Sequence, residues 1–414
     1  MNNSTKLVLE LLRDYIQQVS SDETIRNHIE NVSADIDWEH IFKLSRMNNV
    51  MAFVYNQVKP LSEQYGINPK YTVYMKNIVI YRSSDQIRMY SRLNEIIDAF
   101  EREHIDYYVL KGVILADLYP NPEYRYSCDI DIHTDESQLD KSMKALEITG
   151  CKYKPDHDSE SDYKFTTPEN QMIELHVKLF DEFDKKHKDT IDRIQLDKKE
   201  NITQVQIQGR LINTLKPSEF LIYLICHLTV HFISTGINIR YLMDMSVYVN
   251  KYLNDLDFGY IMEILYEFGL KSYTLNLFHV CRNYLGMNKI SIEIPYADDT
   301  IIEVLLYDIL EKHLNYDSTK TYSENNYDKM YGRLKYYGDK KNVVRNMIFP
   351  SVKSLKAQYA YAKHHTILLP IAWFQRLFRH FFGIVKGSGI KGNVDKVKDS
   401  VDRVHLLEQL DLLK

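Results

Sequence analysis

Apolar residues recur at three- and four-residue intervals through Lys6–Val19, Trp38–Val58 and Ser84–Glu103, the spacing that lines one face of an α-helix. Polar runs separate these segments. The period then changes: Ile105–Leu110 is a short strand-like run, followed by Lys111-Gly112 and a helix predicted over Val113–Leu118, which Pro120, Asn121 and Pro122 end. In Cys128–His133 the acids Asp129 and Asp131 alternate with Ile130 and Ile132. A strand there carries both carboxylates on one face and both isoleucines on the other. Glu136–Thr149 reads as a helix stopped by Gly150. Asp162–Thr167 and Gln171–Phe180 form two strand-like runs around a turn at Pro168-Glu169-Asn170. In the second run Glu174, His176 and Lys178 share a face, with Ile173, Leu175, Val177 and Leu179 opposite, the pattern of a sheet covered by helices on its back. A short strand pair near Thr203–Ile207 and Leu211–Thr214 is expected to complete the sheet. From Lys216 onward the pattern is helical again, with a start at Pro217-Ser218-Glu219 and periodic segments over Leu221–His231, Ile239–Tyr252 and Ile302–Leu314. Asn315–Lys341 is polar and reads as a loop.

This order predicts an α+β protein: a small mixed-sheet domain over residues 95–215, between an N-terminal helical region (1–94) and a C-terminal helical domain (216–414). A chain of 414 residues exceeds what one core usually organises, which agrees with such a division. With 44% hydrophobic and 26% charged residues the composition is ordinary for a globular protein, and a formal net charge of -5 excludes a global basic field for coating nucleic acid. The four cysteines, Cys128, Cys151, Cys226 and Cys281, are far apart and show no CxxC spacing, against a zinc module or a disulfide framework. The N-terminus lacks the pattern of a signal peptide, and the most apolar stretch, Ile367–Val385, is broken by Gln375, Arg376, Arg379 and His380. No membrane span and a cytoplasmic location are the expectations.

Phosphoryl transfer by hard divalent cations requires several carboxylate oxygens converging on one spot. Asp129-x-Asp131 supplies two from same-face positions, and Glu174 supplies a third from a neighbouring strand. Asp-x-Asp alone is common on solvated strands that bind nothing. Its surroundings add weight: the strand-Lys111-Gly112-helix turn offers backbone N–H groups to phosphates, and Arg125, four residues before Asp129, adds positive charge.

The run YYVLKGVILADLYPNPEYRYSCDIDI, followed by a hairpin ending in IELHVKL, resembles the uncharacterised nucleotidyltransferase family of the DNA polymerase beta-like superfamily. WEHIFKLSRMNNVMAFVYNQV, CHLTVHFISTGINIRYLMDMSVYV and FPSVKSLKAQYAYAKHHTILLPIAWFQRLFR resemble that family's helical flanks, so the likeness covers most of the chain. The resemblance implies a polymerase beta-like fold in which Asp129, Asp131 and Glu174 are catalytic and bind two Mg2+ ions, with Mn2+ as a substitute. It also implies that Lys111-Gly112 forms the phosphate-facing turn. The superfamily commonly places Gly-Ser there, whereas Val113 follows Gly112 in this chain and Lys111 is assigned the contact instead.

The remaining candidates have weaker claims. Arg240 and Asp244 lie four apart on a helix, a spacing that usually means a modest surface ion pair; the resemblance brings both toward the nucleotide. His176 shares the strand face of Glu174 and is a nucleotide contact or a structural hydrogen-bonding group, and Lys178 is a phosphate contact or a solvated lysine. His227 and His231 share a helix face, but no third ligand is evident, so a packed or substrate-facing role is the better reading. Trp373–Phe382 mixes aromatics with Arg376 and Arg379 and reads as core more readily than as a membrane or partner surface, and Lys386–Gly389 reads as a linker. The expected function is transfer of a nucleoside monophosphate from a nucleoside triphosphate to an acceptor hydroxyl on a small molecule, protein or RNA, with release of pyrophosphate. The alternative is a noncatalytic nucleotide-binding protein that holds a protein or RNA partner.

Overall fold

The side chain of Asn2 accepts a hydrogen bond from the Thr5 N–H and starts α1 (Asn3–Gln17), whose leucines Leu7, Leu11 and Leu12 are fully buried. The computed structural model describes residues 1–32, 36–155, 162–180, 184–312, 362, 368–375 and 402–413. After α2 (Asp22–Val32) the periodic segment Trp38–Val58 proves to be two helices, α3 (Trp38–Met47) and α4 (Met51–Val58). Asn49 parts them with a φ of 57°, while buried Asn48 donates to the carbonyls of Leu44 and Leu310. The next helix, α5 (Pro69–Arg102), is 34 residues long and begins well before the Ser84 that periodicity suggests. Its first half buries Met75 and Val79 but leaves Val73, Ile80 and Tyr81 exposed, which blurs the one-sided apolar pattern.

Strand β1 (Tyr107–Leu110), the five-residue helix α6 (Gly112–Ala116), β2 (Asp129–Thr134), α7 (Leu139–Ile148), β3 (Lys152–Tyr153), β4 (Asp162–Thr166) and β5 (Met172–His176) follow. The strands make one mixed sheet in the order β1-β2-β5-β4-β3, with β2 and β5 parallel and every other neighbour antiparallel. Ile130, Ile132, Phe165, Ile173 and Leu175 are fully buried on its apolar side. β5 stops at His176, so Lys178 stands outside the strand and exposed.

After α8 (Asp184–Ile194), β6 (Ile202–Ile207) and β7 (Arg210–Leu215) form a separate two-stranded ladder rather than completing the sheet. The Thr214 hydroxyl donates to the Val109 carbonyl at 2.7 Å, so a side chain takes the place of ladder pairing at the β1 edge. Helices α9 (Pro217–Ser234), α10 (Ile239–Tyr252), α11 (Phe258–Glu267), α12 (Lys271–Tyr284) and α13 (Asp299–Leu310) complete the described order. α9 is long and apolar enough for a membrane span by length and composition, yet 67% of it is buried, as in a core helix of a folded protein.

The chain divides into two compact units, Met1–Val230 with Ile237–Asn315, and His231–Gly236 with Tyr316–Lys414. The first holds the sheet and every site residue discussed below. Within the second, Arg403 is buried, donates to the Phe232 carbonyl and lies 4.1 Å from that ring's centre. The polar stretch Asn315–Lys341, the linker Lys386–Gly389 and all but residues 373–375 of the aromatic segment Trp373–Phe382 lie outside the described residues.

Candidate active site

The parallel pairing of β2 with β5 sets Asp131 directly beside Glu174, and the hairpin of β4 with β5 sets Lys164 beside Glu174 and Asp162 beside His176. Cross-strand neighbours on one face touch, and here they are charged. Lys164 Nζ lies 2.7 Å from Glu174 Oε1, and His176 Nδ1 lies 2.6 Å from Asp162 Oδ1. His176 Nε2 is 3.0 Å from Asp131 Oδ1 and 3.8 Å from Glu174 Oε2. Asp131, Glu174 and His176 each offer a ligating atom within 4.8 Å of the other two, the one such grouping among the described residues. Asp129 sits two residues earlier on the same face, partly exposed at the strand's start.

Lys111 enters from the end of β1. Its backbone holds φ 45° and ψ -109°, a conformation L residues rarely adopt, and its Nζ lies 2.7 Å from Asp131 Oδ1. The same ammonium is 3.3 Å from His227 Nε2 and faces the Tyr223 ring. Gly112 is needed for a reason internal to the fold: a Cβ there would stand 2.9 Å from Ser127 Oγ and 3.3 Å from the Asp129 carbonyl. The turn therefore packs against the start of β2. With only five residues, α6 is too short to contribute much of a helix dipole.

The charges nearly balance. Four carboxyl groups, Asp129, Asp131, Asp162 and Glu174, face Lys111, Lys164 and the His176 imidazole. Burial works against a charged His176, but Asp131 and Asp162 outweigh it and raise its pKa to about 9. Burial likewise opposes ionisation of Asp131, and Lys111 and His176 overcome it, holding that carboxyl well below its ordinary value. One negative charge is left over, and it falls on Asp129. Burial first, then Asp131, push its pKa up to about 6, with Glu174 adding to the rise against Lys111 and Arg125.

A second network stands behind this one. Asp244, 1% exposed, accepts from Arg125 Nε at 3.1 Å and Nη2 at 2.7 Å, from Arg240 Nη1 at 2.9 Å and from the Tyr119 hydroxyl at 2.8 Å. Arg125 also donates to Ser127 Oγ, two residues before Asp129. Arg125, Arg240 and Asp244 are thus brought together, but on one another, and the pair that spacing suggested for the surface is mostly buried. His227 touches the Lys111 ammonium, whereas His231 belongs to the other compact unit; neither enters the ligating group. A cavity of about 330 Å³, lined by Ile114, Asp117, Leu118, Val205, Lys251 and Tyr252, lies at the other end of α6 and takes in none of the acids.

The donor set fits a hard divalent cation. Asp129 and Asp131 Oδ2 accept no hydrogen bond among the described residues, Glu174 Oε2 is within reach of the same space, and the unmatched carboxylate is the kind of charge that a cation relieves. Lys111 and Lys164 bond one oxygen each of Asp131 and Glu174 and leave the other oxygens unbonded by either lysine.

Lys164, Asp162 and Tyr119 were not singled out from the sequence. For the first two a signal existed: a turn centred on Glu169 pairs residues equidistant from it, which puts Lys164 opposite Glu174 and Asp162 opposite His176. Tyr119 gave none, because its partner Asp244 lies 125 residues away.

Residues 34–286 match the model of a family described as uncharacterised nucleotidyltransferase. Among solved structures, an antigenic nucleotidyltransferase-like protein from Paracoccidioides brasiliensis is similar at 14% identity, over 50% of this chain and 95% of its own, with a TM-score of 0.32. No curated protein matches the chain.

Proposed function

Because this chain belongs to the uncharacterised nucleotidyltransferase family, whose model spans residues 34–286, we propose that it transfers a nucleoside monophosphate from a nucleoside triphosphate to an acceptor hydroxyl and releases pyrophosphate. The observation that carries this reading is the register of β2 against β5, which sets Asp131 beside Glu174 with His176 on the same face and Asp129 two residues away. In this reading residues 95–215 are the catalytic domain, and Asp129, Asp131 and Glu174 hold Mg2+, or Mn2+ in its place. Bound there, the metal supplies activation of the attacking hydroxyl and neutralisation of the leaving pyrophosphate.

The chain's own residues do the rest. His176, held by Asp162, fixes the orientation of the Asp131 carboxylate. Lys111 places a permanent positive charge beside the acids, where it attracts a polyphosphate and keeps Asp131 ionised. Asp244 locks Arg125 against Ser127 and so steadies the entry of the chain into β2. The acceptor is a hydroxyl on a small molecule, a protein or an RNA end.

One observation favours a second reading, a noncatalytic nucleotide-binding protein with a protein or RNA partner: Lys111 and Lys164 already neutralise an oxygen of Asp131 and of Glu174. Cell extract incubated with purified protein, Mg2+ and each α-labelled nucleoside triphosphate separates the two. Transfer expects label on protein, RNA or a small molecule, absent with Glu174→Gln. Nucleotide binding by calorimetry without label transfer to any fraction overturns the enzymatic reading in favour of the binding one.

A further inference from the structure

Three arginines on three different helices gather at the α3–α4 junction and the approach to β2, and two of them have no carboxylate partner among the described residues. Arg46 lies in the last turn of α3, exposed, and donates to the Tyr74 hydroxyl at 2.8 Å. Arg82, near the middle of α5, donates to Asn49 Oδ1 at 3.0 Å and lies 5.0 Å from the centre of the Tyr126 ring, three residues before Asp129. Arg240, in the first turn of α10, shares Asp244 with Arg125, and its Nε is buried with no hydrogen-bond partner among the described residues. Neither Arg46 nor Arg82 makes an ion pair there, and Glu123, which lines the shallow cavity beside Arg82, makes none with it.

Asn48 Oδ1 accepts from the Ile239 N–H at 3.1 Å, which sets the start of α10, and Arg240 with it, against the α3–α4 junction where Asn49 holds Arg82. Burial lowers the Arg82 pKa, and against Tyr126 both Arg46 and Arg240 push it further down. Arg240 in turn shares Asp244 with Arg125, which donates to Ser127 Oγ, two residues before Asp129. The Tyr126 ring under Arg82 lies three residues before Asp129, so the cluster stands beside the chain that leads into β2. Like charges gathered in a half-buried place destabilise a fold unless an anion joins them. Guanidinium groups present paired N–H donors suited to phosphate oxygens.

We infer that Arg46, Arg82 and Arg240 form an oligophosphate-binding wall beside the acidic group, so that the N-terminal helices contribute directly to the substrate site. The inference rests on the nucleotidyl-transfer reading for the identity of the ligand, a nucleoside triphosphate, and on the arrangement of the arginines for its chemistry. Asn49, whose left-handed backbone parts α3 from α4, serves here as the positioning group for Arg82.

The experiment is calorimetric titration of the full chain with tripolyphosphate alone, in EDTA, so that neither metal nor turnover enters. Wild type is expected to bind, with affinity falling as salt is added. Arg46→Gln and Arg82→Gln are each expected to weaken binding about tenfold or more. Arg82→Lys is expected to recover part of that loss, and Arg193→Gln, outside the cluster, to bind as wild type does. The melting temperature of ligand-free Arg82→Gln is expected to hold or rise, because mutual repulsion is removed; a purely structural role for Arg82 would lower it. If Arg82→Gln does not fold, exposed Arg46→Gln carries the test. A folded wild type that does not bind tripolyphosphate, or undiminished affinity in the variants, overturns the inference. Label transfer from nucleoside triphosphates with undiminished tripolyphosphate affinity in the variants sinks the arginine wall alone. Arginine-dependent tripolyphosphate binding without label transfer to any acceptor supports the wall and sinks the transfer reading.

Discussion

Replacing Asp129 by asparagine removes a charge that the metal-free fold holds under strain. The Asp129 carboxyl is raised to about 6 from an ordinary 3.8, by burial first and by Asp131 next. The folded state therefore binds a proton that the unfolded chain has already released between about pH 4 and pH 6. Stability contributed by the protonated form is complete below pH 4, declines as pH rises through 6 and stays lost above it, a cost of up to about 3 kcal/mol at pH 8. A neutral amide at this position is free of that cost at every pH. In EDTA at pH 8, Asp129→Asn should be more stable than wild type by roughly 1–3 kcal/mol, and the advantage should shrink toward zero at about pH 3. Mg2+ should raise the melting temperature of wild type and do much less for the variant, since a bound cation relieves the same charge. Urea unfolding at the two pH values, with and without Mg2+, measures all of this. A variant less stable than wild type at pH 8, or one that gains as much from Mg2+, would refute the assignment of Asp129 as the unmatched carboxylate.

Asp131→Asn should behave in the opposite way, losing roughly 3–5 kcal/mol in urea unfolding because it strands the buried Lys111 ammonium, and Lys111→Met in the same chain should recover part of the loss. Glu174→Gln should leave the circular dichroism spectrum unchanged while weakening Mg2+ binding, measured by calorimetry, and lowering any label transfer by several orders of magnitude. Gly112→Ala should cost about 1–3 kcal/mol in thermal or urea unfolding, since its methyl group would press on Ser127 and on the Asp129 carbonyl. Gly112→Ala as stable as wild type would show that the turn does not pack against β2 as described.

Local period was enough to read β2 from its alternating acids and isoleucines, and α10 was read to its ends, Ile239 and Tyr252. The stop at Gly150, with φ 83°, was likewise visible in the residue itself. What period cannot encode is pairing across long separations. The register that puts Asp131 beside Glu174 joins strands 43 residues apart, and nothing in either strand states it. The same holds for Asp244, which reads as a helix-surface partner of Arg240 until the fold brings Arg125 and Tyr119 to it from before β2. β6 and β7 looked like members of the main sheet because their alternation is that of any half-buried hairpin; separation came from the Thr214 hydroxyl at the β1 edge. The arginine cluster was illegible for another reason, since each residue occupies an ordinary helical position and only the packing of α3, α5 and α10 makes a group of them.

The unusual backbone of Lys111 sets this residue apart from the other cations of the site. Glycine would adopt that conformation with less strain, by about 1 kcal/mol, so exchange for glycine relaxes the main chain while deleting the ammonium, and exchange for methionine deletes the ammonium alone. A lysine kept where the chain itself would prefer no side chain is one whose chemistry outweighs its geometry, and comparing the two exchanges weighs one against the other in a single position.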